Sequence, residues 1–286
     1  MNDVLRRRSV GAPAARSMLL TVLGEYALPR HEGLWQESLV SALTTVGYSA
    51  AAARQAVVRS TKDGWLSGER IGRRSRMRLT EPTRELLRGG AARIYGFGGP
   101  VAWDRRWLLV VLRVPENRRE LRYRVKTQLA WAGFGSLGGG LWVTPHVTRE
   151  HLASQAVAQA DPEIQALSFR AELGDLGDPS RVIGAAWDLP TLRAQYEQFV
   201  DDFSTLEPED DTSTFAAQTN LVHAWRRFPF IDPDLPDEVL DDDWPRRRAH
   251  ELFRDRHERW NRTAQEHFDR LAGDGDAAGA RRAVTP

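Results

Sequence analysis

Four side chains in the segment "SAAAARQAVVRSTKDG" have the chemistry to read a nucleic acid. At helical spacing Arg54, Gln55, Arg59 and Lys62 lie along one broad face, and Ala53, Ala56, Val57 and Ser60 occupy the other. Arginine pairs with guanine and glutamine with adenine through two hydrogen bonds at a base edge in the major groove. The small residues Ala50 to Ala53 leave the first turn free for close approach. Ser49 stands where a helix cap belongs. Shortly after, "GERIGRRSRMRLT" gathers Arg70, Arg73, Arg74, Arg76 and Arg78 around Gly72. Guanidinium groups on such a turn suit phosphates or the minor groove. The expected DNA-binding set is therefore Ser49, Arg54, Gln55, Arg59, Lys62, Arg70, Arg73, Arg74 and Arg76. The bland alternative is a solvated basic face.

Other constellations carry less. "WAGFGSLGGGLWV" holds G-x-G-x-x-G at Gly133, Gly135 and Gly138, the spacing of a dinucleotide loop. That loop needs a strand before it and a helix after it. Here a helix ends near Trp131 and the strand "GGLWVTP" follows, so the glycines are expected to turn the chain tightly with positive φ. The seven histidines are His31, His146, His151, His223, His250, His257 and His267. His250 and His257 lie two helical turns apart, roughly 10 Å, too far to share a metal. All seven are read as surface or satisfied residues. The acidic runs at Asp201–Asp202, at "EPEDD" and at Asp241–Asp243 are read as solvated loops. The absence of cysteine removes disulfides, thiolate catalysis and Cys-based zinc sites. No catalytic residue, metal or cofactor is expected.

These side chains must be held by a scaffold, and its outline is legible. A chain of 286 residues, 41% hydrophobic and 28% charged, suits two or three globular domains. Its net charge of +1 hides an asymmetry: residues 1–100 hold 16 Lys+Arg against 8 Asp+Glu, and residues 201–286 hold 12 against 20. A basic first third suggests an anionic polymer docked there. Neither a signal peptide nor a membrane span is expected, which points to the cytoplasm.

From Ser17 the pattern is helical through Met18, Leu19, Val22 and Leu23. A second stripe, Leu34, Trp35, Leu39, Ala42, Leu43 and Val46, stops at Gly47. The third helix runs from the Ser49 cap to Gly64. Alternation of Met77 and Leu79 with Arg76 and Arg78 around Gly72 predicts a β-hairpin. Helix, helix, tight turn, helix and hairpin is the order of a winged helix-turn-helix. "EPTRELLRGGAARIYGF" then reads as a linking helix. The middle section alternates strand and helix: a buried strand over Leu108–Val114, a helix carrying Leu121, Val125, Gln128 and Leu129, the strand "GGLWVTP", a helix, and the strand "IQALSFRAEL". This predicts a ferredoxin-like α/β sandwich. From Pro190 onward the pattern is helical. The fold class is α+β: a disordered arm (1–16), a winged helix-turn-helix (17–95), a ferredoxin-like middle domain (96–180), a helical C-terminal domain (181–271) and a disordered tail (272–286).

With these residues in view, the chain resembles the PaaX family of bacterial transcriptional repressors from about Ser17 to Leu271. The matching segments are "VRSTKDGWL" into "GRRSRMRLT", then "WDRRWLLVVL", "GFGSLGGGLWVTP" and "DPDLPDEVLDDDWPRRRAHELF". The resemblance implies a homodimer on a double-stranded operator. It also implies repression of aromatic-acid (phenylacetate) catabolic genes, relieved by an aryl-acetyl-CoA thioester such as phenylacetyl-CoA. It implies a middle domain like the CRISPR-associated ferredoxin-like nucleases, which makes a metal-dependent nucleic-acid-processing enzyme the alternative function. The nuclease type carries a metal-binding Asp near the end of its first strand. Here that strand ends "VLRVP", with Arg113 and Val114, so the middle domain is read as non-catalytic. Arg118, Arg119, Arg122, Arg124 and Lys126 on the following helix are candidates to hold the phosphates of the thioester.

Overall fold

The computed structural model describes residues 14–30, 32–99, 102–115, 117–161, 164–176 and 178–283, by backbone alone after Gly273. Residues 1–13 of the expected arm, and His31, lie outside the described residues. The architecture is mixed α and β, with two small antiparallel sheets and many helices. Two compact units emerge: Met1–Gly96 with Phe199–Arg226 and Glu251–Pro286, and Phe97–Gln198 with Arg227–His250.

In the first unit, α1 (Ala15–Val22) continues into a single π-helical turn, Leu23–Ala27. α2 (Gln36–Thr45) ends at Gly47, whose φ of +99° only glycine adopts freely. α3 (Ala50–Lys62) starts on the expected cap, the Ser49 hydroxyl accepting from the Ala52 N–H at 3.2 Å. β2 (Leu66–Ile71) and β3 (Arg74–Leu79) form the expected hairpin, turned at Gly72 with φ +61°. α4 (Glu81–Gly96) follows.

One expectation is corrected. Leu34 and Trp35 do not belong to the second helix; they form β1, a two-residue strand paired antiparallel with Met77 and Arg76. Their apolar spacing fits a helical stripe equally well, and only the distant partner strand decides between the two. The sheet order is β1-β3-β2.

The core of this unit joins Leu19, Val22, Leu39, Leu43, Val57 and Met77 to Phe215, Ala264 and Phe268. Those last three come from α9 (Asp211–Trp225) and α11 (Arg246–Ala283). α9 starts on a reciprocal cap between Asp210 and Ser213 and is buried along almost its whole length. α11 continues as helix through residues read as a tail. Ala277, Ala278 and Ala280 favour helix there, although Gly273, Gly275 and Gly279 dilute the preference.

The second unit is built on β4 (Arg106–Arg113), α5 (Arg119–Trp131), β5 (Gly135–Gly138), β6 (Leu141–Thr144), α6 (Glu150–Ala160) and β7 (Gln165–Glu172). Its sheet is antiparallel throughout in the order β5-β6-β4-β7. That is the split βαβ arrangement of ferredoxin-like sandwiches. Alternation along β4 decides the layers. Leu108, Val110 and Leu112 pack with Leu121, Val125 and Leu129 of α5, while Trp107 joins Val143, Ile183 and Leu235 on the opposite face.

Two elements here went unread in the sequence. The glycine stretch is itself a strand, β5, where Gly135 is needed for room: a Cβ would lie 2.6 Å from both Ala186 and Trp187. Gly133 and Gly138 both have φ of +85°, as expected for turning residues. The other is α7 (Pro179–Ala186), which begins before Pro190 with an Asp178 cap and Pro179 in its first turn. α8 (Leu189–Ser204) and the short α10 (Phe228–Ile231) are further helices of the chain.

Candidate nucleic-acid interface

The burial of α3 separates its two faces cleanly. Ala53, Val57 and Ser60 are fully buried and Ala56 is nearly so, whereas Arg54, Gln55, Arg59 and Lys62 are exposed. The packing of Ala53, Ala56 and Val57 into the core fixes which residues point outward. One outward residue was missed by sequence reasoning: Val58, 58% exposed, stands among the cations. Its helical position between Arg54 and Lys62 was the available signal. Ser49 serves as the helix cap, which positions α3 and occupies its hydroxyl.

The hairpin divides its arginines into two kinds. Arg70 and Arg73 are exposed, Arg73 at the turn and Arg70 bonded through Nε to the Gly72 carbonyl at 3.3 Å. Arg74 and Arg76 instead turn toward β1. The Arg74 guanidinium lies 4.0 Å over the Trp35 ring and 3.5 Å from Glu37, and its side chain is only 18% exposed. Arg76 donates through Nε to the Gly33 carbonyl at 2.9 Å and lies 3.7 Å from Glu32. Both brace the short strand and the start of α2. Arg78, on the open side, faces Glu69 at 3.9 Å.

The same unit carries a polar cluster centred on Glu25, in the π-helical turn, which is 7% exposed. His257 Nε2 lies 2.9 Å from Glu25 Oε1, Gln218 Nε2 donates to the same oxygen at 3.0 Å, and Tyr95 donates a short bond to Oε2. Burial alone would raise the Glu25 carboxyl, but these partners outweigh it and hold it below the usual carboxylate range. Burial and the Glu25 charge push the Tyr95 hydroxyl far up, so it remains a donor. A π-turn inside a helix often marks a working position. Here it places one carboxylate where α4, α9 and α11 meet. Sequence reasoning missed this cluster, because its members lie up to 232 residues apart.

Three of the described histidines are satisfied as expected, whereas the Nε2 of His267 is buried without a hydrogen-bond partner. His257 meets Glu25, His223 Nδ1 lies 2.8 Å from Thr21 Oγ1, and His146 Nε2 lies 2.7 Å from the Asp234 carbonyl. The acidic runs read as solvated loops are corrected in part: Asp201 and Asp202 lie within the helix Leu189–Ser204, Glu207 holds Arg256 and Arg259, Asp211 holds Arg270, and Asp241 and Asp243 both hold Arg193. Among the described residues, no three His, Asp or Glu side chains gather in a metal-binding group. None of the helices formed by described residues is long and apolar enough to cross a membrane.

On α5 the candidate effector cations also separate. Arg118 is 2.6 Å from Asp161, and Arg124 donates to the Ala160 carbonyl at 2.7 Å, so both fasten α5 to the end of α6. Arg119, Arg122 and Lys126 are exposed.

Three family models match in series: PaaX-like protein over residues 14–83, the PaaX protein central Cas2-like domain over 100–183, and the PaaX-like protein C-terminal domain over 187–270. The transcriptional repressor PaaX of Escherichia coli is 30% identical over 252 residues, 82% of this chain and 77% of that protein. An uncharacterized protein from Mycobacterium tuberculosis has a similar structure, with TM-score 0.59 over 90% of this chain and 98% of that one. At 20% identity that likeness speaks to the fold alone.

Proposed function

The chain belongs to the PaaX family, and from that premise we propose that it is a DNA-binding transcriptional repressor whose N-terminal unit is a winged helix-turn-helix. The observation that carries this reading is the outward face of α3, where Arg54, Gln55, Arg59 and Lys62 are exposed together, with Arg70 and Arg73 exposed on the hairpin that follows. α3 is the recognition helix and enters the major groove. Arg54, Gln55 and Arg59 meet base edges, while Lys62, Arg70 and Arg73 meet phosphates. Ser49, Arg74 and Arg76 act indirectly, by holding α3 and the wing in place.

A repressor on a two-fold operator works as a dimer whose reading helices sit about 34 Å apart, or a multiple of that. In this reading the middle domain supplies the homodimer contact. The exposed Leu167 and Phe169 on the edge strand β7 support that assignment, because an uncovered edge with apolar side chains invites another copy. The effector is an aryl-acetyl-CoA thioester, phenylacetyl-CoA in type, with Arg119, Arg122 and Lys126 as the free cations for its phosphates. The genes controlled are those of phenylacetate-type catabolism, and the protein acts in the cytoplasm. The middle domain is non-catalytic: β4 ends in Arg113, where the nuclease type carries a carboxylate.

Titration of labelled duplexes with the full chain, followed by fluorescence anisotropy, tests the reading. Saturable binding that tightens at one sequence and weakens with salt is expected. Salt-insensitive or absent binding contradicts it.

A further inference from the structure

Val58 is the residue on α3 that local stability does not ask for. It is 58% exposed, and a β-branched side chain on a solvated helix face costs both helix propensity and apolar hydration. Its position is central. At about 100° per residue, it lies roughly opposite the buried Ala53 and Ser60. Its neighbours three and four positions away include Arg54, Gln55 and Lys62. An apolar spot ringed by donors and positive charge fits a partner that is anionic at its margins and apolar at one point between them.

We propose that Val58 is a specificity-determining residue that reads the C5-methyl group of a thymine in the major groove. That groove supplies the required pattern: phosphates along both rims, acceptor atoms on purine edges, and the thymine methyl as its one apolar group. The inference rests on the reading of α3 as the recognition helix and adds to it what the centre of the helix recognises. An acidic protein surface with an apolar centre is the competing occupant, and the experiment separates the two.

The experiment uses the full chain and a duplex operator enriched from random sequence. Each thymine is replaced in turn by deoxyuridine, which keeps the base pair and removes only the methyl. Affinity is then measured for the wild type and for V58A, a substitution that removes exposed atoms and suits a helix. The wild type should lose about fourfold in affinity at one thymine per half-site, as one buried methyl-sized group implies. V58A should bind deoxyuridine and thymine alike at that position, while V58I restores the difference. Arg59→Ala should leave the thymine sensitivity in place. A wild type indifferent to every deoxyuridine, or a V58A protein with undiminished sensitivity, overturns this inference and leaves the repressor reading standing. If the full chain enriches no duplex at all, both fall together.

Discussion

The guanidinium of Arg74 lies 4.0 Å above the Trp35 indole, so β1 is held to the sheet of the N-terminal unit by a cation on an aromatic face. This contact distinguishes arginines that sit side by side in the sequence. Arg74 braces β1, and Arg73, its neighbour at the turn, is exposed.

Substituting the two should therefore have opposite signatures. Arg74→Ala should lower thermal stability by about 0.5–2 kcal/mol, the range of a partly desolvated cation–π contact. Arg73→Ala should leave stability unchanged, weaken binding to all DNA sequences alike, and flatten the salt dependence by about one unit of slope. Calorimetry with anisotropy at several salt concentrations reads both. Identical behaviour of the two variants would refute the division.

Arg59→Ala should act on specificity instead. Loss of a paired contact to a base costs about 1–3 kcal/mol at the matched site and little on random duplexes. The ratio of specific to non-specific affinity is the quantity to measure, and an unchanged ratio removes Arg59 from the reading face.

Glu25 makes stability depend on acid. Its carboxyl is held below its ordinary value in the folded chain by His257, Tyr95 and Gln218 against the opposing effect of burial. A lowered folded value means that the stabilisation is fully present above the unfolded-state value of about 4.3. It is lost as pH falls through the folded value. Glu25→Gln should destabilise the protein at neutral pH by about 1.5–3 kcal/mol, as a buried bond to a charged group implies. It should also reduce the loss of stability on acidification. Parallel acid profiles for both proteins would count against this account.

The buried Phe268 stacks on Tyr26 at 5.0 Å between ring centroids. The N-terminal unit consequently depends on the far end of the chain. Phe268→Ala should cost about 3–5 kcal/mol and weaken DNA binding at temperatures where the wild type still binds. Retention of wild-type stability would show that α11 is dispensable to this unit.

What the sequence revealed, and what it hid, follows from the range of the interactions. The start and end of α3 are written locally, in the Ser49 cap and in Gly64 with its φ of +75°. The hairpin is written in alternation around Gly72. The split sandwich was legible in outline from the alternation of strand and helix, with one strand unseen. Leu34 and Trp35 were misread because a two-residue strand has no periodicity of its own. β5 was hidden by glycines, which carry no strand signal. The outward set on α3 was legible because one helix carries it all. The engagement of Arg74, Arg76, Arg118 and Arg124 was not, since each partner belongs to another element.

The proposed effector switch carries a reciprocal expectation. If phenylacetyl-CoA lowers operator affinity by some factor, operator must lower phenylacetyl-CoA affinity by the same factor. Paired titrations of the full chain read both. Indifference of operator affinity to phenylacetyl-CoA and related aryl-CoA thioesters would remove this effector class and leave DNA binding untouched.

The central claim, that this chain reads DNA sequence to repress, is tested most directly by selecting ligands for the full-length protein from a pool of random duplexes. The account predicts an inverted repeat with half-sites spaced by about 10 base pairs or a multiple. Affinity for it should exceed that for random duplex by roughly 10³-fold or more at physiological salt. A pool that emerges no more tightly bound than it entered, or that is cut in the presence of a divalent metal, would contradict it.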